Sequence, residues 1–115
     1  IVLEESFANT RSFIKRVGGR TTIIIPHMGG LNGGFSALFK SGIWDDETVY
    51  ADTALASGRE ITQFLDKYGS RRILFGSDFP FGTPGGELQE VVGMNLGKED
   101  FENIVCHNIL RLLNV

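Results

Sequence analysis

The side chains best suited to chemistry are His27 and Asp78, 51 positions apart. His27 stands in Pro26-His27-Met28-Gly29-Gly30, directly after the β-branched run Thr21-Thr22-Ile23-Ile24-Ile25. Asp78 opens Asp78-Phe79-Pro80, directly after Arg72-Ile73-Leu74-Phe75-Gly76-Ser77. Each is placed where a strand gives way to a loop, and in α/β folds active sites gather at the carboxyl ends of strands. An imidazole and a carboxylate at the mouth of an apolar barrel suit two tasks: holding a divalent metal, or moving a proton from water. Strand alternation puts His27 on the side of Ile23 and Ile25, and Asp78 on the side of Leu74 and Gly76. Taken singly, each has a plainer reading. The histidine would be a surface or packing residue, and the aspartate would form an Asx turn or cap a helix.

The elements that must position this pair follow from apolar spacing. A helix is predicted over Phe7 to Val17, with Gly18-Gly19 as its stop. The run Thr21 to Ile25 reads as a strand, and Phe35 to Phe39 as a short helix. Val49 to Thr53 is a second strand. Ile61, Phe64, Leu65 and Tyr68 fall at i, i+3, i+4 and i+7, and Gly69 follows as the cap. Arg72 to Ser77 is the third strand and Glu87 to Val92 a short helix. The last helix runs from Lys98 to Leu113. Alternating helices and strands argue α/β architecture, with parallel neighbouring strands and right-handed crossovers. The near-continuous apolar strands imply cover on both faces. Three strands form a thin sheet with hazardous edges, so the chain reads as a part that expects neighbours.

The whole-chain values bound the function. The chain has 115 residues, 42% apolar and 22% charged, enough for a core and too apolar for a disordered tail. Its net charge of −3 makes it a poor nucleic-acid binder. No apolar run approaches membrane length, so no membrane partner is expected. Cys106, the one cysteine, excludes an internal disulfide framework and a cysteine-based zinc site. No leader segment is visible, and a reduced, cytoplasmic setting is the expectation. The first residue is Ile1 and not Met, which reads as a missing beginning.

The motifs themselves resemble a known family. Ile24-Ile25-Pro26-His27-Met28-Gly29-Gly30 resembles the sixth-strand motif of the amidohydrolase-related branch of the amidohydrolase superfamily. Val49-Tyr50-Ala51-Asp52-Thr53 is similar to its seventh strand, and Arg72 through Pro80 to its eighth. The stretch from Glu102 to Leu113 resembles its terminal helix. The three strand motifs stand in register over nearly the whole chain. The resemblance implies the C-terminal part, about three βα units, of a metal-dependent (β/α)8 TIM barrel, with residues 1–115 as one partial domain. It implies hydrolysis or decarboxylation of a small carboxylated substrate through a metal-activated water, with hydration also open. Asp78 would be the metal-linked carboxylate that accepts the water's proton, and His27 the acid/base or substrate-polarising group. The cofactor implied is a divalent metal, zinc foremost. The family's His-x-His pair and its fifth-strand histidine are not in this chain. Two groups do not make a three- or four-ligand site, so the chain alone is expected to be inactive. Its partners would be the missing N-terminal part or a second copy.

Other residues carry less. Arg59 could meet a substrate carboxylate with two parallel hydrogen bonds, or be a solvated helix-start residue. Trp44 could line the substrate mouth, or pack over the short helix. Asp52 reads equally as support for the site or as a strand-end hydrogen-bonding residue. Asn108, on an apolar helix face, should bond a loop backbone, and His107 should lie at the surface. An alternative function uses the Gly29–Gly34 loop as a phosphate or nucleotide cradle. Its spacing matches neither G-x-G-x-x-G nor the P-loop, and no lysine follows it.

Overall fold

A computed structural model describes all residues from Ile1 to Val115. Three parallel strands lie side by side in chain order: β1 (Ile23–Ile25), β2 (Val49–Asp52) and β3 (Ile73–Leu74). Ile23 pairs with Val49 and Ile25 with Ala51; Ala51 pairs with Ile73 and Asp52 with Leu74. The helices are α1 (Phe7–Val17), α2 (Phe35–Ser41), α3 (Gly58–Tyr68), α4 (Pro84–Gly93), α5 (Lys98–Glu102) and α6 (Asn108–Leu113).

Local chemistry explains where the helices start and stop. Ser6 caps α1 by accepting from Asn9 N, and Lys15 and Arg16 in its last turn complement the helix dipole. Ser57 and Glu60 form a reciprocal capping box at the start of α3. The periodic residues of α3 then place Ile61 and Phe64 in the core.

The strands are buried on one face more than the other. Ile23, Ile25, Val49, Ala51 and Ile73 are fully buried beneath Ile14, Leu38, Ile61 and Phe64 of the helices. The alternate residues Ile24, Tyr50 and Asp52 are only half-buried. They look onto the other face, where Val2, Ile24, Leu74, Phe75, Ile104 and Ile109 border an apolar cleft of about 350 Å³. The expected cover on both faces is therefore incomplete within this chain.

Two readings need correction. Trp44 is fully buried, its ring 5.7 Å from that of Phe35 and 5.4 Å from that of Phe64. Its Nε1 donates to Tyr50 O at 3.4 Å. An indole held between two core rings does not line a substrate mouth. The third strand is also shorter than the run Arg72–Ser77. After Leu74 the backbone leaves the ladder: Phe75 N donates to Ile104 O and Gly76 N to Thr53 Oγ1. Ile104 lies in a π turn, Asn103–His107, that joins α5 to α6. The predicted last helix thus exists as a continuous run with one widened turn. Asn108 begins α6, and its Nδ2 donates to Ser70 O and Ile73 O, both at 2.6 Å, as its place on an apolar face demanded. His107 and Cys106 are exposed.

Candidate active site

β1 and β3 flank β2, and both end on the same edge of the sheet. The chain after β1 turns at once through Pro26–Gly29, with His27 and Met28 at φ 55 and 51. After β3, Asp78 takes φ 53. Left-handed backbone at residues other than glycine is uncommon and costs on the order of 1–3 kcal/mol, and such residues cluster at functional sites. Hydrogen bonds hold both turns. His27 N donates to Asp52 Oδ1 at 2.9 Å, and His27 O accepts from Gly30 N. Asp78 O accepts from Phe81 N and Gly82 N.

The turns bring His27 Nε2 to 3.1 Å from Asp78 Oδ2. Strand alternation does not place these side chains. His27 lies beyond the end of β1, and the left-handed turn turns it away from the helix-covered side of Ile23 and Ile25 toward Asp78. The imidazole is 10% exposed and the carboxylate 35%. His27 Nδ1 is buried with no hydrogen-bond partner, and Glu4 Oε2 stands 3.9 Å from it.

Asp52 unites the two readings open to it. Its Oδ1 accepts from His27 N and from Ala54 N at 3.1 Å, so a strand-end hydrogen-bonding residue fixes the histidine's backbone. Burial pushes its carboxyl above the usual carboxylate range, against the two N–H donors that pull it down.

His27 and Asp78 open into a cleft of about 340 Å³ with Gly30, Leu31, Leu55 and Glu60. Arg59 is not in the lining; it is exposed at the start of α3, while its neighbour Glu60 faces the cleft. Arg59 therefore has no seat for a substrate carboxylate here. Glu60 and Glu4 are additions that sequence reasoning missed. Glu60 is legible as a capping-box residue, but no sequence signal tells that it borders the cleft. The Gly29–Gly34 loop uses three of its N–H groups on its own and adjacent backbone. The N–H groups of Gly30, Asn32 and Gly34 already donate to His27 O and Gly29 O.

The pair can pass a proton between imidazole, carboxylate and a water or substrate in the cleft. By itself it supplies two of the donors that a divalent ion would take. No three His, Cys, Asp or Glu side chains stand close enough to share an ion, and a zinc ion takes three or four protein donors.

Comparison with known proteins then bears on the fold and the family. A model of the amidohydrolase family matches residues 16–115. Among curated proteins none matches in sequence. The solved structure of amidohydrolase 2 from Bifidobacterium longum subsp. infantis superposes with a TM-score of 0.76 at 16% identity. That match covers 99% of this chain and 49% of the other. The structure of 2,6-dihydroxybenzoate decarboxylase complexed with 2,6-dihydroxybenzoate superposes with a TM-score of 0.65 at 18% identity, covering 81% of this chain and 34% of that one. The likeness shows the fold: consecutive βα units of a TIM barrel.

Proposed function

Since the chain belongs to the amidohydrolase family, we propose that it supplies the acid–base pair of an active site that hydrolyses or decarboxylates a small carboxylated substrate. The approach of His27 Nε2 to Asp78 Oδ2 at 3.1 Å, at the carboxyl ends of alternate strands, carries this reading. Asp78, the more exposed of the two, takes the proton from an attacking water. His27 donates or accepts at the substrate, and Asp52 keeps its backbone in place. Leu31 and Leu55 give the cleft an apolar wall against which the body of a substrate can lie. The decarboxylase neighbour, bound to a hydroxylated benzoate, illustrates the class.

The chain spans about half or less of the solved structures it matches. The proposed active body therefore joins these three βα units to further units that pair with the outer edges of β1 and β3 and so close the half-buried face inside a barrel. The divalent ion implied by the resemblance needs donors beyond His27 and Asp78, and those units would bring them. The test belongs to the polypeptide that carries the whole barrel. Asp78→Asn or His27→Gln there should lower kcat by roughly 100-fold to 10,000-fold, the range for loss of a positioned proton-transfer group, with unchanged circular dichroism. A loss under tenfold for both would defeat the proposal. For the 115-residue chain alone, calorimetry should detect no stoichiometric zinc binding; a one-to-one titration would show that the donors are already complete.

A further inference from the structure

The sheet has a second end. At the amino ends of β2 and β3, away from His27 and Asp78, Arg71, Arg72 and Arg111 line one cleft of about 350 Å³ with Glu47, Tyr50 and Tyr68. The chain as a whole is acidic, at −3, so three guanidiniums in one cleft are not a consequence of composition. None of the three forms an ion pair; the chain's ion pairs use His27, Lys67 and Lys98. Glu47 is the one carboxylate of the lining, and Asp46, on which Arg72 exerts an attraction, is already bound by Thr48 N and Thr48 Oγ1.

Arg72 is held in place. Its Nη1 donates to Asp46 O at 3.0 Å and Val49 O at 2.6 Å, and its Nη2 to Trp44 O at 2.9 Å. Its guanidinium carbon lies 5.3 Å from the Tyr68 ring centre. A guanidinium has five N–H donors, so two remain on Arg72. Arg71 is exposed and its side chain makes no hydrogen bond within the chain, while Arg111 is exposed and shares Nη2 with Asn108 Oδ1.

We propose that this cleft binds a dianionic phosphate group, as free phosphate or as a phosphate monoester. Three guanidiniums against Glu47 in the lining, with Asp46 behind Arg72, leave a net positive cleft that favours an anion. Guanidinium forks match phosphate oxygens with two parallel hydrogen bonds, which a lone ammonium does not. Arg72 supplies a fixed cation at the base, and Arg71 and Arg111 close on the anion from the rim. Tyr50 and Tyr68 offer an aromatic wall to the organic part of a monoester.

Thermal unfolding of the protein tests this, because a ligand that binds only the folded state raises Tm with its concentration. Phosphate and phenyl phosphate are titrated against sodium chloride at matched ionic strength. Both should raise Tm saturably beyond chloride, equally if free phosphate is the ligand and more for phenyl phosphate if a monoester is. Arg71→Gln and Arg111→Gln, both at exposed positions, should each weaken the response about tenfold, the loss of one charged hydrogen bond. Arg11→Gln on α1 should leave it intact. Shifts no larger than chloride's, or shifts undiminished in both cleft variants, would overturn the proposal.

Discussion

One carboxylate oxygen, Oδ1 of Asp52, fixes backbone on two sides of the candidate site by accepting from His27 N and Ala54 N. Removing it leaves two part-buried donors without partners, at about 1–3 kcal/mol for each such group. Asp52→Ala should therefore lower unfolding free energy in urea by roughly 2 kcal/mol or more. Asp52→Asn keeps an acceptor oxygen and should lose well under half as much; equal losses would mean that the two bonds do not hold the turn. A second residue answers to alkali. Burial, then the hydrogen bond to Asp45 at 2.7 Å and that residue's charge, push the Tyr68 hydroxyl from 10.0 up to about 12. The folded chain holds this proton more tightly than the unfolded chain does, so its contribution is complete below pH 10.0 and fades as pH rises through about 12. Tyr68→Phe should flatten the decline in urea midpoint across that window. An unchanged slope would show that Tyr68 does not titrate there. His27 and Asp78 were legible as candidates from their positions after apolar runs. The left-handed turns that let them meet were not, because φ at a residue other than glycine is set by its tertiary hydrogen bonds.

Among the elements, the terminal helix is tied to β3 and the segment just before it by two buried asparagines. Asn108 Nδ2 satisfies the carbonyls of Ser70 and Ile73, and Asn103 Nδ2 donates to Ser70 Oγ at 3.0 Å. Asn108→Asp would set a carboxylate against two carbonyls in a buried place, and should destabilise more than Asn108→Leu, which only leaves them unpaired. The order of the two urea midpoints checks this. Ser57→Ala, which removes the cap of α3, should cost about 1 kcal/mol by the same measurement. The period of α3 was plain in the sequence because its apolar residues recur each turn against one core. The π turn carried no such mark. It lies where Ile104 O turns to Phe75 N, a contact between residues far apart in the chain.

For the whole molecule, the half-covered face of the sheet governs behaviour. Val2, Ile24, Phe75 and Ile109 border an apolar cleft on a sheet of three short strands. Such a face should self-associate, and light scattering should report a mass above 12.7 kDa that grows with concentration. A constant monomer mass at high concentration would mean that the face is already adequately covered. The amino-acid sequence by itself determined the order of helices and parallel strands, the family motifs and the two chemical groups, since these depend on periodicity and on residue type at strand ends. Only the tertiary structure decided that His27 and Asp78 touch, that Trp44 lies inside and Arg59 outside the cleft, and that three arginines share the opposite end. Side-chain direction beyond a strand's last residue follows from long-range packing, which no local pattern encodes.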